Sequence, residues 1–153
     1  MVEIEISNPK SFRKCIDCII NIVKEGNFEI NENGMELRAM DPSQISMVIF
    51  SANKDFFSRY DVKEKVKIGV DLDNFNKILS RWRSGEVILL KIENKKFEVI
   101  FKGNKSKRSF LISTIDVPSG PIKELKINYI AKIKMNGKEI KEIINDAGIV
   151  SPH

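Results

Sequence analysis

The sequence predicts an α+β fold in which helices lie on one face of antiparallel sheets. Three observations predict it. Apolar and polar residues alternate in many short runs, as in Val2-Glu3-Ile4-Glu5-Ile6, which is the period of a half-buried strand. Two other segments carry apolar residues at spacings of three and four, the stripe of an amphipathic helix. Tight turn signals such as Asn33-Gly34 separate the strands, and short turns of that kind join antiparallel neighbours.

Taken in order, residues 2–6 read as the first strand. Asn8-Pro9 then opens a helix, with Asn8 as N-cap and Pro9 at the first helical position. Phe12, Cys15, Ile16, Ile19 and Val23 form its apolar stripe, and Arg13, Lys14, Asp17, Asn21 and Lys24 lie off it. Gly26 is the expected helix stop. Residues 28–30 and 35–37 are strands of a hairpin. Residues 45–51 and 66–70 are two more, joined by a polar loop in which Phe56-Phe57 reads as local packing. Asp71 or Asp73 starts a second helix with Leu72, Phe75, Ile78, Leu79 and Trp82 on its apolar face and Asn74, Lys77 and Arg81 on the other. Residues 87–92, 97–101 and 109–115 make three further strands, joined by Glu93-Asn94-Lys95 and a basic loop at 102–108.

Residues 116–126 hold Pro118, Gly120 and Pro121 and read as a linker. A strand at 127–135 and a short helix at 137–145 follow it. This ending repeats the opening: Asn136 heads its helix as Asn8 heads the first, at an offset of 136 − 8 = 128. The repeat marks the start of a second copy of the first domain. At one domain per copy, a duplicated protein would hold about 250 residues. The expected organisation is therefore a first domain at 1–115, a connecting loop at 116–126, and the first strand and helix of a truncated second domain at 127–153.

Composition narrows the class. Of 153 residues, 42% are hydrophobic and 31% charged, as in globular proteins generally. No apolar run resembling Val87-Ile88-Leu89-Leu90 approaches the roughly 20 residues of a membrane span. Two cysteines and no secretory leader indicate a reducing, cytoplasmic setting. The net charge of +5 permits nucleic acid or an acidic partner without requiring either.

The chemistry-bearing constellations are sparse. Cys15-Ile16-Asp17-Cys18 has metal or redox spacing, but zinc takes four ligands and the one histidine is His153. Both thiols fall on or near the apolar stripe, so buried structural cysteines are expected. Phosphate-binding glycine clusters are absent, and Asp71 and Asp73 read as helix caps rather than an acid-base pair. No nucleophile-base pair, metal site or cofactor site emerges, which disfavours an enzyme.

Residues 34–48 carry the strongest family signal. Gly34, Leu37, Ala39, Met40, Asp41, Ser43, Ile45, Met47 and Val48 resemble the signature of the DNA sliding clamp family, the proliferating cell nuclear antigens, in their archaeal form. The tail from Ala147 to His153 resembles a second family stretch, with Pro152 where Asp is common. The resemblance implies a clamp domain of two βαβββ units, here 2–51 and 66–115. It implies a non-enzymatic subunit of a trimeric ring that encircles duplex DNA and acts as a processivity factor in replication and repair. DNA polymerase, clamp loader, flap endonuclease and ligase would be tethered through clamp-binding peptides, in the nucleoid and without cofactor or membrane. The alternative is a truncated clamp-like module that binds or caps clamp subunits without encircling DNA.

The resemblance also assigns residues. Arg13, Lys14, Lys77, Arg81 and Lys141 would face the DNA backbone, although basic helix faces read without it as solvated surface. Met40, Gln44, Ile45 and Met47, with Ile122 and Leu125 from the connecting loop, would line the partner-peptide pocket. Gln44 stands where many members have His, and Met40 and Met47 read from pattern alone as strand core. Ser109, Phe110, Leu111, Ile112, Ser113, Thr114 and Ile115 would form the edge strand that pairs with a neighbouring subunit.

Overall fold

The computed structural model describes residues 1–118 and 128–150. They fall into two compact units, Met1–Ile122 and Lys123–His153.

The first unit runs β1 (Val2–Ile6), α1 (Pro9–Ile19), β2 (Glu25–Asn31), β3 (Gly34–Met40), β4 (Met47–Asn53), a 3₁₀ turn (Lys54–Phe56), β5 (Phe57–Val62), β6 (Val66–Asp71), α2 (Leu72–Leu79), β7 (Val87–Glu93), β8 (Lys96–Lys102) and β9 (Lys107–Ser113). Two βαβββ units are thus present, with β5 added between them. Their first strands are exchanged. β1 pairs with β7 in the five-stranded sheet β5-β1-β7-β8-β9, while β6 pairs with β2 in the four-stranded sheet β4-β3-β2-β6. Every named pairing is antiparallel.

Both helices start as their caps dictate. Asn8 Oδ1 accepts from the Ser11 amide at 3.0 Å, and Asp71 Oδ1 from the Asn74 amide at 2.9 Å, each satisfying a donor that the first turn leaves free. Their apolar faces and the inner faces of both sheets form one core. Phe12 and Ile16 of α1, Phe75 and Leu79 of α2, Phe28 and Leu37 of one sheet and Ile4, Leu90 and Val99 of the other are all buried in it. Phe12, Phe28, Phe50 and Phe75 close a ring of edge-to-face contacts with centroids 6.1–6.5 Å apart. Such contacts add about 0.5–1.5 kcal/mol per pair beyond burial.

Several expectations are corrected. The first helix ends at Ile19, not Gly26; Gly26 is buried in β2, where a Cβ would lie 2.9 Å from Leu37 Cδ1. Cys15 and Cys18 are exposed rather than buried, because Phe12, Ile16, Ile19 and Val23 alone supply the buried stripe. The loop after β4 contains β5, whose Tyr60 hydroxyl donates to Asn31 O at 2.7 Å. Burial pushes that phenol up to about 12. Phe57 is buried against Phe56 and Tyr60, as local packing requires.

The second unit holds α3 (Gly137–Val150), longer than the helix expected at 137–145. Asn136 Oδ1 accepts from the Lys138 amide at 2.9 Å at its start. The expected strand at 127–135 is not formed across residues 128–135. A strand needs a neighbour for its amides, and Ile130 and Ile133 are exposed. Ile140, Ile143 and Ile144 of α3 are also exposed.

One ion pair locks β9 to the segment after α2. Arg108 Nη2 donates to both Glu86 carboxylate oxygens, at 2.6 and 2.8 Å, and to Arg81 O at 3.0 Å. The guanidinium also lies 5.0 Å from the Phe101 ring centroid. Glu86 is buried, and the Arg108 hydrogen bond holds its carboxyl below the usual range. Arg108→Met leaves that carboxylate without its cation. A loss of about 1.5–3 kcal/mol in urea unfolding is expected, partly recovered by adding Glu86→Gln because no buried charge then remains.

Candidate functional site

Three surfaces of the first unit carry the chemistry. The first is the polar face of α1 and α2. Asn76 Nδ2 donates to Asp17 Oδ1 at 2.7 Å and holds the helices together. Arg13 Nε lies 4.0 Å from Asp17 Oδ2, and Lys24 Nζ lies 3.3 Å from Asp73 Oδ1. Arg13 is therefore partly engaged within the protein. Among the described residues, Lys14, Lys77 and Arg81 are exposed and take part in no ion pair. Lys141 is exposed on α3 of the second unit.

The second surface is a groove of about 680 Å³ on the outer face of the four-stranded sheet. Its floor includes Asn27, Glu29, Arg38 and Lys67, and it is bounded by Met40, Pro42 and Gln44 and by Val117 and Pro118. The floor is charge-paired: Glu29 lies 2.7 Å from Lys65 Nζ and 4.0 Å from Lys67 Nζ. The Lys65 hydrogen bond holds the Glu29 carboxyl below its ordinary value. Apolar contact is left to Ala39, Met40, Pro42, Val117 and Pro118.

Two local devices shape this groove. One is the turn between β3 and β4. Asp41 Oδ1 accepts from the Ile45 and Ser46 amides at 2.8 and 2.7 Å, and Oδ2 accepts from the Ser43 amide and hydroxyl. Gln44 takes φ +58° to complete the turn. The other is the segment leaving β9. Ile115 N donates to Gly69 O at 3.0 Å, and Asn27 Nδ2 to Val117 O at 3.0 Å. A Cβ on Gly69 would meet Ile115 O at 2.2 Å, so only glycine lets this segment approach β6.

The structure brings Met40 and Gln44 together in the groove wall. Met40 and Met47 are cross-strand partners on the outer face, not core residues. Ile45 projects from the turn at 85% exposure, and neither it nor Met47 lines the groove. Ile122 and Leu125 lie outside the described residues. Val117, Pro118 and Pro42 were missed as walls. The prolines offered a signal; Val117 gave none, and its carbonyl accepts from Asn27 Nδ2 across the fold.

The third surface is the outer edge of β9, which ends the five-stranded sheet. Ser109, Phe110, Leu111, Ile112 and Ser113 lie in it, with Leu111 64% exposed. Thr114 and Ile115 do not. Thr114 Oγ1 donates to Lys95 O at 3.1 Å, and Ile115 crosses to the four-stranded sheet at Gly69. Among the described residues, no helix is long and apolar enough to cross a membrane, and no group of three or more His, Cys, Asp or Glu is placed to hold a metal.

Residues 1–118 match the family model for the proliferating cell nuclear antigen, N-terminal domain. The chain belongs to the proliferating cell nuclear antigen family. The DNA polymerase sliding clamp of Thermococcus gammatolerans is 35% identical over 150 residues, covering 97% of this chain and 60% of that protein. That of Methanococcus maripaludis is also 35% identical, over 95% of this chain and 58% of its own length. The chain thus spans about 60% of the length of these relatives. A solved proliferating cell nuclear antigen from Thermococcus kodakaraensis superposes at a TM-score of 0.72 with 28% identity, covering 79% of this chain and 52% of that one. A complex of two such subunits from Sulfolobus tokodaii gives 0.77 at 18% identity, covering 83% and 52%, a likeness of fold.

In this proliferating cell nuclear antigen domain, Asp41 sets the pH response of the groove turn. The Ser43 hydrogen bond, with the Ser46 and Ile45 amides, holds its carboxyl below the ordinary 3.8. A carboxylate lowered on folding stabilises above its unfolded value and loses that contribution as pH falls through the folded one. Amide-exchange protection at Ile45 and Ser46 is expected to be level above about pH 4 and to fall below it. Asp41→Ala should remove that protection at every pH while leaving β7 and β8 unchanged.

Proposed function

We propose that this chain is a DNA polymerase sliding-clamp subunit that encircles duplex DNA as part of a trimeric ring. The observation that carries the reading is the separation of two surfaces on one domain. Among the described residues, cations outside any ion pair lie on α1, on α2 and just beyond it, and a groove bounded by Met40 lies on the outer face of the four-stranded sheet. Contacts from Lys14, Lys77 and Arg81 to phosphates carry no base information, so a protein held this way can move along DNA. Confinement by a ring raises the effective concentration of a tethered enzyme without catalysis. Lys141, exposed on α3 of the second unit, would also meet the DNA backbone on this reading.

The groove would take short peptides of DNA polymerase, clamp loader, flap endonuclease and ligase. The flexible Met40 side chain suits a site with several occupants. The β9 edge would pair with a neighbouring subunit, since an open edge is a template for another strand. That open edge also supports the second reading, a module that caps other clamp subunits without forming a ring. Light scattering separates the two by mass: a trimer supports the ring and a discrete monomer the cap.

Topology gives the direct test. With clamp loader and ATP, the protein should stay on nicked circular DNA and leave when the circle is cut. Equal loss from circular and linear DNA would overturn encirclement. Lys77→Ala should weaken non-specific DNA binding for all sequences alike and reduce the slope of log affinity against log salt by about 1. Met40→Ala should weaken binding of a clamp-binding peptide by about 1–2 kcal/mol in calorimetry and leave that salt slope unchanged.

A further inference from the structure

The geometry points to a two-thiolate site for a soft monovalent metal cation, of the copper(I) class, formed by Cys15 and Cys18 on α1. Both cysteines are free and exposed. They stand three residues apart within α1, and side chains at that spacing share one flank of a helix with Cβ atoms about 5–6 Å apart. The flank lies beside the buried stripe of Phe12, Ile16 and Ile19, so neither thiol serves the core.

The spacing selects what can join the sulfurs. A disulfide needs Cβ atoms about 3.5–4.5 Å apart, closer than the helix places them. Reaching that distance would unwind the last turn of α1, and that turn is tied down. Ile20 N donates to Ile16 O and Cys18 O, Val23 N donates to Ile19 O at 3.0 Å, and Asn21 Nδ2 donates to Asp17 O at 2.7 Å. Val23 is buried below it. A metal ion between the two sulfurs fits the helical spacing without moving the backbone. Soft thiolates select copper(I) by ligand type. Zinc would need two further ligands, and the described residues supply no group of three.

The step balances as an exchange. Two S–H bonds break, two metal–sulfur bonds form, and two protons pass to solvent. A monovalent cation on two thiolates leaves one negative charge. Lys14 stands one helical turn before Cys18, exposed and in no ion pair among the described residues, and would offset it. This site does not depend on the clamp reading.

The test uses the intact chain, reduced and without oxygen, titrated with copper(I) against a chromogenic copper(I) chelator. One ion per chain is expected. Cys15→Ser and Cys18→Ser should each weaken binding by about a hundredfold or more, because the second ligand no longer acts at a high effective concentration. Phenylarsine oxide, which bridges two thiols and releases one water, should add once to the native chain and not to either variant. Circular dichroism of the variants should match the native protein, since both positions are exposed. Copper binding unchanged in either single variant, or equally strong in the double variant, would overturn the proposal.

Discussion

The exchange of first strands between the two βαβββ units is the constraint on which the rest of this domain depends. β1 belongs by sequence to the first unit but completes the sheet of the second through β7, and β6 does the reverse through β2. Neither unit can close its sheet alone. Because α1 follows β1 and α2 follows β6, the exchange brings both helices over a shared core. The Phe12, Phe28, Phe50 and Phe75 cluster joins α1, β2, β4 and α2. The polar faces of the helices are left outward, and Asn76 and Asp17 set them together. The cationic surface is thus a by-product of how the core closes.

The groove follows from the same arrangement. β6 enters the four-stranded sheet beside β2, so Gly69 and Asn27 meet the chain leaving β9. Without the exchange, that chain would have no sheet to lie against and the groove no second wall. The opposite boundary is local. Asp41 gathers the Ser43, Ile45 and Ser46 amides around one carboxylate and fixes where Met40 and Gln44 end up. A carboxylate that accepts several amides is favoured in its charged form, so Asp41 orders this turn as an anion.

Much of the architecture was legible in the chain because period and capping agree. Asn8 caps the helix it was expected to cap, Asp71 rather than Asp73 caps the second, and the strands of both units lie within a few residues of their alternating runs. β5 was not legible. Its apolar residues Phe57, Tyr60 and Val62 are spaced three and then two, and a register shift between Glu5 and Ile6 in the partner strand accommodates the extra residue. Alternation also overran the end of β9, since the strand stops at Ser113 and the backbone of Ile115 bridges to Gly69 in the other sheet. Residues 128–135 alternate but form no strand, because pattern alone does not supply a neighbour. Of the groove's lining, Met40 stands in the family signature, whereas Gln44 was named only by the resemblance, at a position where many members have His. Val117 was not legible, because its place depends on a side chain 90 residues away.

The exchange also orders events during synthesis. Val2 pairs with Ile92 and Ile6 with Ile88, so the first strand leaves the ribosome long before its central partner. At about 5–20 residues per second the wait is on the order of ten seconds. β5 can reach β1 sooner, but a two-stranded ribbon is marginal in water. Through that interval Val2, Ile4 and Ile6 form an apolar row with one edge open. Distant pairings of this kind slow folding, so β1 is the strand of this domain most exposed to misassembly.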